Sequence, residues 1–322
     1  MLQHSHSTGT GPRLETRFGA NPQRRADVVG TGFTVLDRLY QDGQFFDESL
    51  GGSCGNILVS LAMLHRAVAP VLRLGLDLAG ERLMTEFCEA GAIIEHIHRR
   101  PELRSPILAE KLDTASGIHR FSFTCPETDT DLPRYEPIGE SELNEALPLL
   151  QTCSIFYADR LSDSILGAMR VARAGGAVVF FEPSEIGDKE LFQRALRLST
   201  ILKYSSDRLD DDLDGISVEC IKIVTHGSSG LEVHDGTLRI WCSAIDADDV
   251  IDTCGSGDMV SVGVIDWLLT EELTVHELNG RLLVAGVVAG QRLAAANCAY
   301  AGARGLFKNR GASHARSLLH TE

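Results

Sequence analysis

Short apolar segments alternate along most of the chain with segments whose apolar residues recur at helical spacing. The apolar segments have the length and the content of valine, isoleucine and phenylalanine that are typical of buried strands. We predict strands at residues 26–37, 71–75, 154–158, 177–181, 200–203 and 220–225. Helices are predicted at residues 81–90, 140–150, 164–174, 189–198 and 281–297, and another opens with residues 51–56. Such an alternation predicts an α/β fold with a mainly parallel central sheet and helices on both faces.

Two segments interrupt this alternation. Residues 38–50 are mostly polar, with one short predicted strand around Phe45. Farther along, three segments have the pattern of antiparallel strands joined by polar turns, at residues 96–98, 107–112 and 118–124. The chain of 322 residues exceeds the usual size of one domain, so a large domain with a smaller appendage fits its length.

A glycine-rich segment, residues 251–259, leads directly into an apolar run long enough for a helix. The start of a helix exposes unpaired backbone N–H groups and the positive end of the helix dipole, so it attracts anions. Gly255 and Gly257 have no side chain that would keep an anion away, and Ser256 adds a small hydroxyl. Asp258 would repel a bound phosphate unless it has a chemical role, such as taking a proton from an attacking hydroxyl. The segment therefore indicates phosphoryl transfer to an alcohol, although a plain loop before a first-turn carboxylate has the same pattern.

The composition argues against several other classes of function. The formal net charge of −15 argues against binding to nucleic acids or anionic membranes, both of which require a basic surface. No apolar run approaches the roughly 18 residues that span a bilayer. The eight cysteines are scattered without a C-x-x-C pair, which argues against a zinc site or disulfide framework and favours reduced thiols in the cytoplasm. Residues 1–25 are polar and are predicted to form a mobile tail.

The segment 252–258 resembles the C-terminal signature of the ribokinase, or PfkB, family of carbohydrate kinases, usually written D-T-x-G-A-G-D, with serine in place of alanine here. Residues 51–56 resemble the family's N-terminal signature, G-G-x-x-x-N at the start of a helix. The two signatures occur in the family's order and about 200 residues apart. The resemblance implies a ribokinase-like α/β fold over residues 26–322, with a small β lid built from about residues 38–50 and 94–125.

The resemblance also implies roles for individual residues. Asp258 would be the general base, and the backbone N–H groups of Gly255, Ser256 and Gly257 would form the anion hole for the transferred phosphate. Asp37 is expected at the carboxyl end of the first strand, the edge where ligands of open α/β sheets bind. The phosphate acceptor would be bound by Asp37, Gly51, Gly52 and Asn56. ATP, accompanied by Mg²⁺, would be bound by Lys203, Thr225 and Gly227.

Two further points concern ions. The family's monovalent-cation site falls on five residues of this chain, which makes K⁺ a candidate activator: Asp252, Cys254, Asn297, Tyr300 and Gly302. The family's N-x-x-E motif, which handles Mg²⁺ and phosphate, should fall near residues 203–208, where Ser205 and Arg208 stand instead. An arginine cannot organise Mg²⁺, so either Asp207 substitutes or metal handling differs in this chain.

The resemblance favours a small neutral sugar, such as a hexose or ketohexose, as the acceptor. The first alternative is a nucleoside, whose base would need an aromatic clamp from Phe45, Phe46 or Phe121. The second is a catalytically silent regulator that binds a sugar or nucleotide, an idea motivated by the altered N-x-x-E motif. The expected partners are therefore a sugar and ATP, without nucleic acid or membrane. A homodimer through the lid is also compatible with the sequence, because an exposed lid strand can pair two subunits.

Overall fold

The computed structural model describes residues 25–113, 118–213, 216 and 218–320, so the expected tail at residues 1–25 lies outside them except for Arg25. The described part of the chain contains fourteen strands and nine α-helices. The strands are β1 (Val28–Thr31), β2 (Val35–Gln41), β3 (Gln44–Gly51), β4 (Val68–Pro70), β5 (Leu72–Gly75), β6 (Ile97–Arg100), β7 (Ile107–Asp113), β8 (Ile118–Ser122), β9 (Ile155–Ala158), β10 (Val178–Phe181), β11 (Ile201–Ser205), β12 (Ile221–Thr225), β13 (Gly230–Asp235) and β14 (Leu238–Ser243). The helices are α1 (Ser53–Met63), α2 (Leu78–Ala90), α3 (Glu140–Leu150), α4 (Asp163–Ala174), α5 (Lys189–Leu198), α6 (Ser206–Leu213), α7 (Ser256–Thr270), α8 (Gly280–Asn297) and α9 (Gly305–Leu319).

The central sheet has eight strands in the order β14-β13-β12-β11-β10-β9-β1-β4. The six strands from β12 to β4 run parallel, and β13 and β14 join antiparallel at one edge. Each parallel neighbour is reached through a crossover that contains helices, which is the connection that parallel pairing requires. The predicted mainly parallel α/β sheet is therefore confirmed.

Helices cover both faces of this sheet, and successive residues of each strand point to opposite faces. On β10, Phe180 belongs to the core that also contains residues of α1, α2, α7, α8 and α9. The next residue, Phe181, belongs to the core formed with α3, α4, α5 and α6. Both phenylalanines are fully buried, so each strand contributes to two cores at once. Within the described ranges, no helix has the length and apolar character that crossing a membrane requires.

The first predicted strand, residues 26–37, is in fact two strands that belong to different sheets. The chain leaves β1 at Gly32, whose φ of +148° is one that side chains rarely adopt. The space beside Gly32 is filled by Asp159, whose carboxylate accepts a hydrogen bond of 2.7 Å from the backbone N–H of Phe33. The chain then turns into β2, so Asp37 lies within β2 and not at the carboxyl end of the first central strand. That expectation was wrong, because the turn depends on a residue 127 positions farther along the chain.

A second sheet, which we call the lid sheet, has the strand order β3-β2-β7-β8. The β2–β3 hairpin turns at Asp42 and Gly43, both of which have positive φ. The predicted antiparallel lid strand at residues 96–98 was wrong, because β6 pairs in parallel with β5 in a separate two-stranded sheet. Sequence analysis also did not predict β4, β14 or α9, which are short, edge or polar elements.

The helices α7 and α8 pack so closely that their backbones touch. A Cβ atom on Gly263 would lie 2.3 Å from the Cα atom of Gly290, which explains the glycine in the middle of α7. We expect Gly263→Ala to lower the free energy of unfolding by about 1–3 kcal/mol, because overpacking outweighs the alanine's better helix propensity. Chemical denaturation measures the change. Gly187→Ala, where the added Cβ meets nothing within 4 Å, is the control and should be nearly neutral. A Gly263→Ala variant as stable as the wild type would contradict this account.

Candidate active site

The N-terminus of α7 carries the glycine-rich segment. Gly255 precedes the helix with a left-handed φ of 72°, and a Cβ atom there would lie 2.6 Å from the Cα atom of Ala303. Only glycine fits both demands. The hydroxyl of Ser256 donates a 2.8 Å hydrogen bond to the carbonyl of Thr253, so it fixes the loop. A Cβ atom on Gly257 would lie 3.7 Å from the ammonium of Lys203, which puts a positive charge beside this helix start.

Asp258 meets Asn56 at the centre of the molecule. The side-chain amide of Asn56 donates a 2.8 Å hydrogen bond to the Asp258 carboxylate across 202 positions of sequence. The two signature segments therefore converge on one point. Burial, and next the charge of Glu182, raise the pKa of Asp258 to about 6, although the Asn56 hydrogen bond, Lys203 and Arg208 act to lower it. Such a carboxylate is ionised at neutral pH yet far more basic than an ordinary aspartate.

Lys203 is held by a network that sequence analysis did not assign. Its ammonium group, in a residue only 2 % exposed, forms an ion pair with Glu182. The other oxygen of Glu182 accepts hydrogen bonds from Ser261 at 2.5 Å and Tyr157 at 3.3 Å. Because Ser261 lies on α7, this network ties the lysine to the helix that carries Asp258.

Asp37, Gly51 and Gly52 lie together where the lid sheet meets α1. A Cβ atom on Gly51 would lie 1.7 Å from the Asp37 carboxylate, and one on Gly52 would lie 2.4 Å from the carbonyl oxygen of Phe33. Both glycines therefore have a structural reason to lack side chains. Burial, followed by the charge of Glu110, raises the pKa of Asp37 well above its ordinary value. One Asp37 oxygen is buried without a hydrogen-bond partner in the described structure.

A cavity of about 490 Å³ opens between the lid sheet and the helical core. Asp37, Asn56 and Glu110 contribute polar groups to its wall, and Phe46 contributes an aromatic ring. Asp258 is not in the wall but lies one hydrogen bond behind Asn56. The volume suits a small organic molecule.

The cationic side chains of this cavity wall already have partners. Arg304 donates hydrogen bonds to the carbonyl of Leu50 at 2.5 Å and to Glu86 at 2.9 Å. Lys308 donates to Asp47 at 3.3 Å and also to Ser49. The described wall therefore offers hydrogen-bond acceptors and neutral surface to a ligand, and its two cationic side chains are already paired.

Thr225 and Gly227, the other residues predicted to bind ATP, lie at the carboxyl end of β12 and just after it. Thr225 ends β12 beside Ser205, the last residue of β11. Gly227 opens a 3₁₀ turn with a φ of 56° and is exposed. Lys203 lies close enough to Asp258 to lower its pKa, whereas none of the contacts described for Asp258 involves Thr225 or Gly227. Arg208, the residue that departs from the family motif, contributes positive charge that lowers the pKa of Asp258.

The residues predicted to bind a monovalent cation are gathered in one place, but their oxygens are already satisfied. The backbone N–H groups of Cys254 and Gly302 donate to Asp252 at 2.7 and 2.6 Å. The amide NH₂ of Asn297 lies 3.4 Å from the carbonyl oxygens of both Cys254 and Gly302. Tyr300 donates its backbone N–H to Asn297 and lies in the cavity wall. The amide of Asn297 thus lies between the carbonyl oxygens that the resemblance predicted to be ligands of the ion.

His119, on β8 of the lid sheet, completes this arrangement. Its Nε2 atom lies 2.6 Å from Asp252, and its Nδ1 atom lies 2.7 Å from Glu110. Asp252 first, and then Glu110, raise the pKa of His119 to about 9, so the imidazole is positively charged at neutral pH. Burial acts to raise the pKa of Asp252, but its contacts with His119 and the two N–H groups keep that pKa below its ordinary value. The residues present therefore do not fit K⁺, and nothing in the sequence pattern of the lid indicated His119 or Glu110.

Comparison with known proteins places this geometry in a family. A model of the pfkB family carbohydrate kinases matches residues 34–309. No curated protein matches the chain in sequence.

Solved structures of sugar and nucleoside kinases have the same fold. A fructokinase from Xylella fastidiosa with bound ATP aligns with a TM-score of 0.74 at 21 % identity, over 91 % of this chain and 98 % of that one. Aminoimidazole riboside kinase from Salmonella enterica, complexed with its riboside and an ATP analogue, aligns with a TM-score of 0.69 at 18 % identity, over 91 % and 99 %. Ribokinase from Arabidopsis thaliana, complexed with ribose and ATP, aligns with a TM-score of 0.66 at 16 % identity, over 93 % and 100 %. The ribokinase-like fold predicted from the sequence is confirmed.

The ionisation of Asp258 is directly measurable. We expect its carboxyl group to titrate with a pKa of about 6, and at a higher pH in Asn56→Ala, because that variant removes a hydrogen bond that stabilises the charged form. Carbon-13 NMR of the aspartate carboxyl groups, with Asp258→Asn identifying the signal, measures both values. Asn279→Ala, whose amide belongs to the start of α8 instead, should leave the titration unchanged. An Asp258 pKa near 4 in the wild type would contradict the burial argument.

Proposed function

Because the chain belongs to the pfkB family of carbohydrate kinases, we propose that it is an ATP-dependent sugar kinase in which Asp258 is the general base. Family membership makes the chain a phosphotransferase with a hydroxyl acceptor. The acceptor, and the roles of the individual residues, form our proposal.

Acceptor atoms of the cavity wall that lack a hydrogen-bond partner support a neutral sugar as the substrate. One carboxylate oxygen of Asp37 and the amide oxygen of Asn56 are both buried without a hydrogen-bond partner in the described structure. Both residues lie in the wall of the cavity. Buried polar atoms normally have partners, so these two call for donors from a ligand, and sugar hydroxyls are such donors. Because Arg304 and Lys308 are paired, a phosphorylated sugar has no free cation to bind here.

The chemistry that this geometry supports is proton removal beside an anion site. Asp258 would take the proton of a sugar hydroxyl held near Asn56, since its pKa of about 6 leaves it charged but basic at neutral pH. The hydroxyl oxygen would attack the γ-phosphate of ATP in line. The N–H groups of Gly255, Ser256 and Gly257, with the ammonium of Lys203, would stabilise the charge on the transferred group.

The proposed ATP site would extend from Lys203 to Thr225 and Gly227 at the carboxyl ends of β11 and β12. When bound, Mg²⁺ would neutralise charge on the phosphates. It usually keeps several waters and takes only one or two carboxylates. Both oxygens of Glu182 already have protein partners, so Asp207 at the start of α6 is the carboxylate that would substitute in the altered motif. Arg208 cannot bind the metal, but its positive charge suits the phosphates. Closure of the lid sheet over the sugar would exclude water and limit wasteful hydrolysis of ATP.

A nucleoside is the second candidate acceptor, and one observation favours it. Phe46 lies in the cavity wall with 59 % of its surface exposed, so its ring is available to stack on a base. The other two aromatic candidates have partners, since Phe45 packs edge-on against Tyr40 and Phe121 stacks on His119. A silent regulator would not need the Asn56–Asp258 pair next to a charged lysine.

An ADP-release assay with a panel of ketohexoses, hexoses and nucleosides tests the proposal. We expect turnover with a neutral sugar, and a kcat at least about 100-fold lower in Asp258→Asn with little change in KM, as for a lost general base. Asp163→Asn is the control, because Asp163 is also a first-turn carboxylate of a helix but is exposed. Binding without turnover across the panel would assign the regulator, and full turnover in Asp258→Asn would remove the base.

We also propose a homodimer through the lid sheet. Both edge strands of that sheet, β3 and β8, are without a neighbour in the described chain, and each carries exposed aromatic residues: Phe45, Phe46 and Phe121. Light scattering should give twice the chain mass, and Phe121→Glu should shift the protein to the monomer because it buries a charge in the interface. A monomer at all concentrations would contradict the dimer.

A further inference from the structure

The corner between the lid sheet and the start of α7 contains a buried carboxylate that needs a positive charge. The side chain of Asp252 has no exposed surface, and the side chains of Glu110 and His119 are only 5 % and 10 % exposed. A buried carboxylate is expensive unless a cation pairs with it. In the part of the chain that the structure describes, the ion-pair partner of Asp252 is His119.

We propose that the imidazolium of His119 is the resident cation of Asp252, in the place of a monovalent metal ion, so that this kinase neither needs nor binds K⁺. Asp252 contacts His119 at 2.6 Å on one side and accepts two backbone N–H groups on the others. Three protein groups, one of them the imidazole at ion-pair distance, therefore already surround the Asp252 carboxylate.

The neighbouring carbonyl groups support the same conclusion. A K⁺ ion would need the carbonyl oxygens of Cys254 and Gly302 as ligands, but the NH₂ group of Asn297 lies 3.4 Å from both. The amide cannot turn around freely, because its oxygen accepts a 2.9 Å hydrogen bond from the backbone N–H of Leu306. A flipped amide would leave that N–H group buried and unpaired. The carbonyls thus face a donor that the fold holds in place.

Because His119 takes the place of an ion, it has a positioning role. Asp252 fixes the backbone of Cys254, the residue directly before Gly255, so its position sets the entry to the anion-binding loop. His119 belongs to the lid sheet, and Glu110, its second partner, lies in the wall of the cavity. An ion in this corner would leave the loop independent of the lid. With His119, one side chain joins the loop, the lid and the cavity wall.

The competing occupant is a divalent metal ion. The ligand atoms of Glu110, His119 and Cys254 lie within 4.8 Å of one another, as in a metal site. Both ring nitrogens of His119 already face carboxylates, however, at 2.7 Å from Glu110 and 2.6 Å from Asp252, so a metal ion would have to displace one of these contacts.

Thermal unfolding in different salts tests the proposal without reference to catalysis. The purified wild type is compared in KCl, NaCl and tetramethylammonium chloride at equal ionic strength, and we expect the same melting temperature in all three. His119→Gln should melt roughly 5–10 °C lower in tetramethylammonium chloride, because it leaves Asp252 buried without a cation. KCl should recover a large part of that loss in the variant only. His119→Lys, which restores a positive charge, should remove the response to K⁺.

His98→Gln is the matched control. His98 is 11 % exposed and lies 3.6 Å from Glu145 on α3. Its replacement should not create a response to K⁺. A merely structural loss at His119 would lower the melting temperature equally in all three salts, and that result would overturn the proposal.

Two results with the wild type alone decide the question even if His119→Gln does not fold. A melting temperature or nucleotide affinity that rises in KCl, relative to tetramethylammonium chloride, would overturn the proposal. A stoichiometric metal ion in the purified protein, detected by inductively coupled plasma mass spectrometry, would overturn it as well. The inference does not depend on the proposed function, because its main readout is the melting temperature. Absence of kinase activity would refute the proposed function and leave the thermal result valid.

Discussion

The hydrogen bond between Asn56 and Asp258 is the contact on which the arrangement of the site depends. It joins the first turns of two helices, α1 and α7, that lie 202 positions apart in sequence and approach from different parts of the fold. The positive dipole ends of both helices lie beside this contact. In α1, the first-turn N–H groups of Cys54 and Gly55 are already paired, with the Asp159 carboxylate and the carbonyl of Phe33. The buried ammonium of Lys203 forms an ion pair with Glu182 next to this contact. The basicity of Asp258 arises here because burial and the charge of Glu182 raise its pKa, while the Asn56 hydrogen bond, Lys203 and Arg208 act to lower it.

Much of the central fold was predictable because its signals are local. Parallel strands buried on both faces are continuous apolar runs, and the helices between them have apolar residues at regular spacing. The sequence of Phe180 and Phe181, for example, indicates a strand that is covered on both sides. The signature segments were recognisable for a similar reason, since Gly255 meets a local demand for a left-handed conformation beside Ala303.

The lid and its contacts were less predictable because they depend on distant partners. Residues 26–37 have the composition of one strand, and only Asp159 beside Gly32 divides them. The alternation at residues 96–98 indicates a strand but not its neighbour, so β6 was assigned to the wrong sheet. His119 and Glu110 could not be linked to Asp252, since register and folding bring them together and no local pattern does. Likewise, no local pattern linked Glu182 to Lys203, which the fold brings together as an ion pair.

The direct backbone contact between Gly263 and Gly290 limits how this protein can move. Two helices that touch without intervening side chains cannot slide or rock against each other without a collision. The loop before α7 and the turn after α8 are therefore fixed to one rigid body, which holds Asp258 and Asn297. If the proposed function is correct, we expect any opening and closing around a substrate to occur in the lid hairpins, one of which carries Asp37.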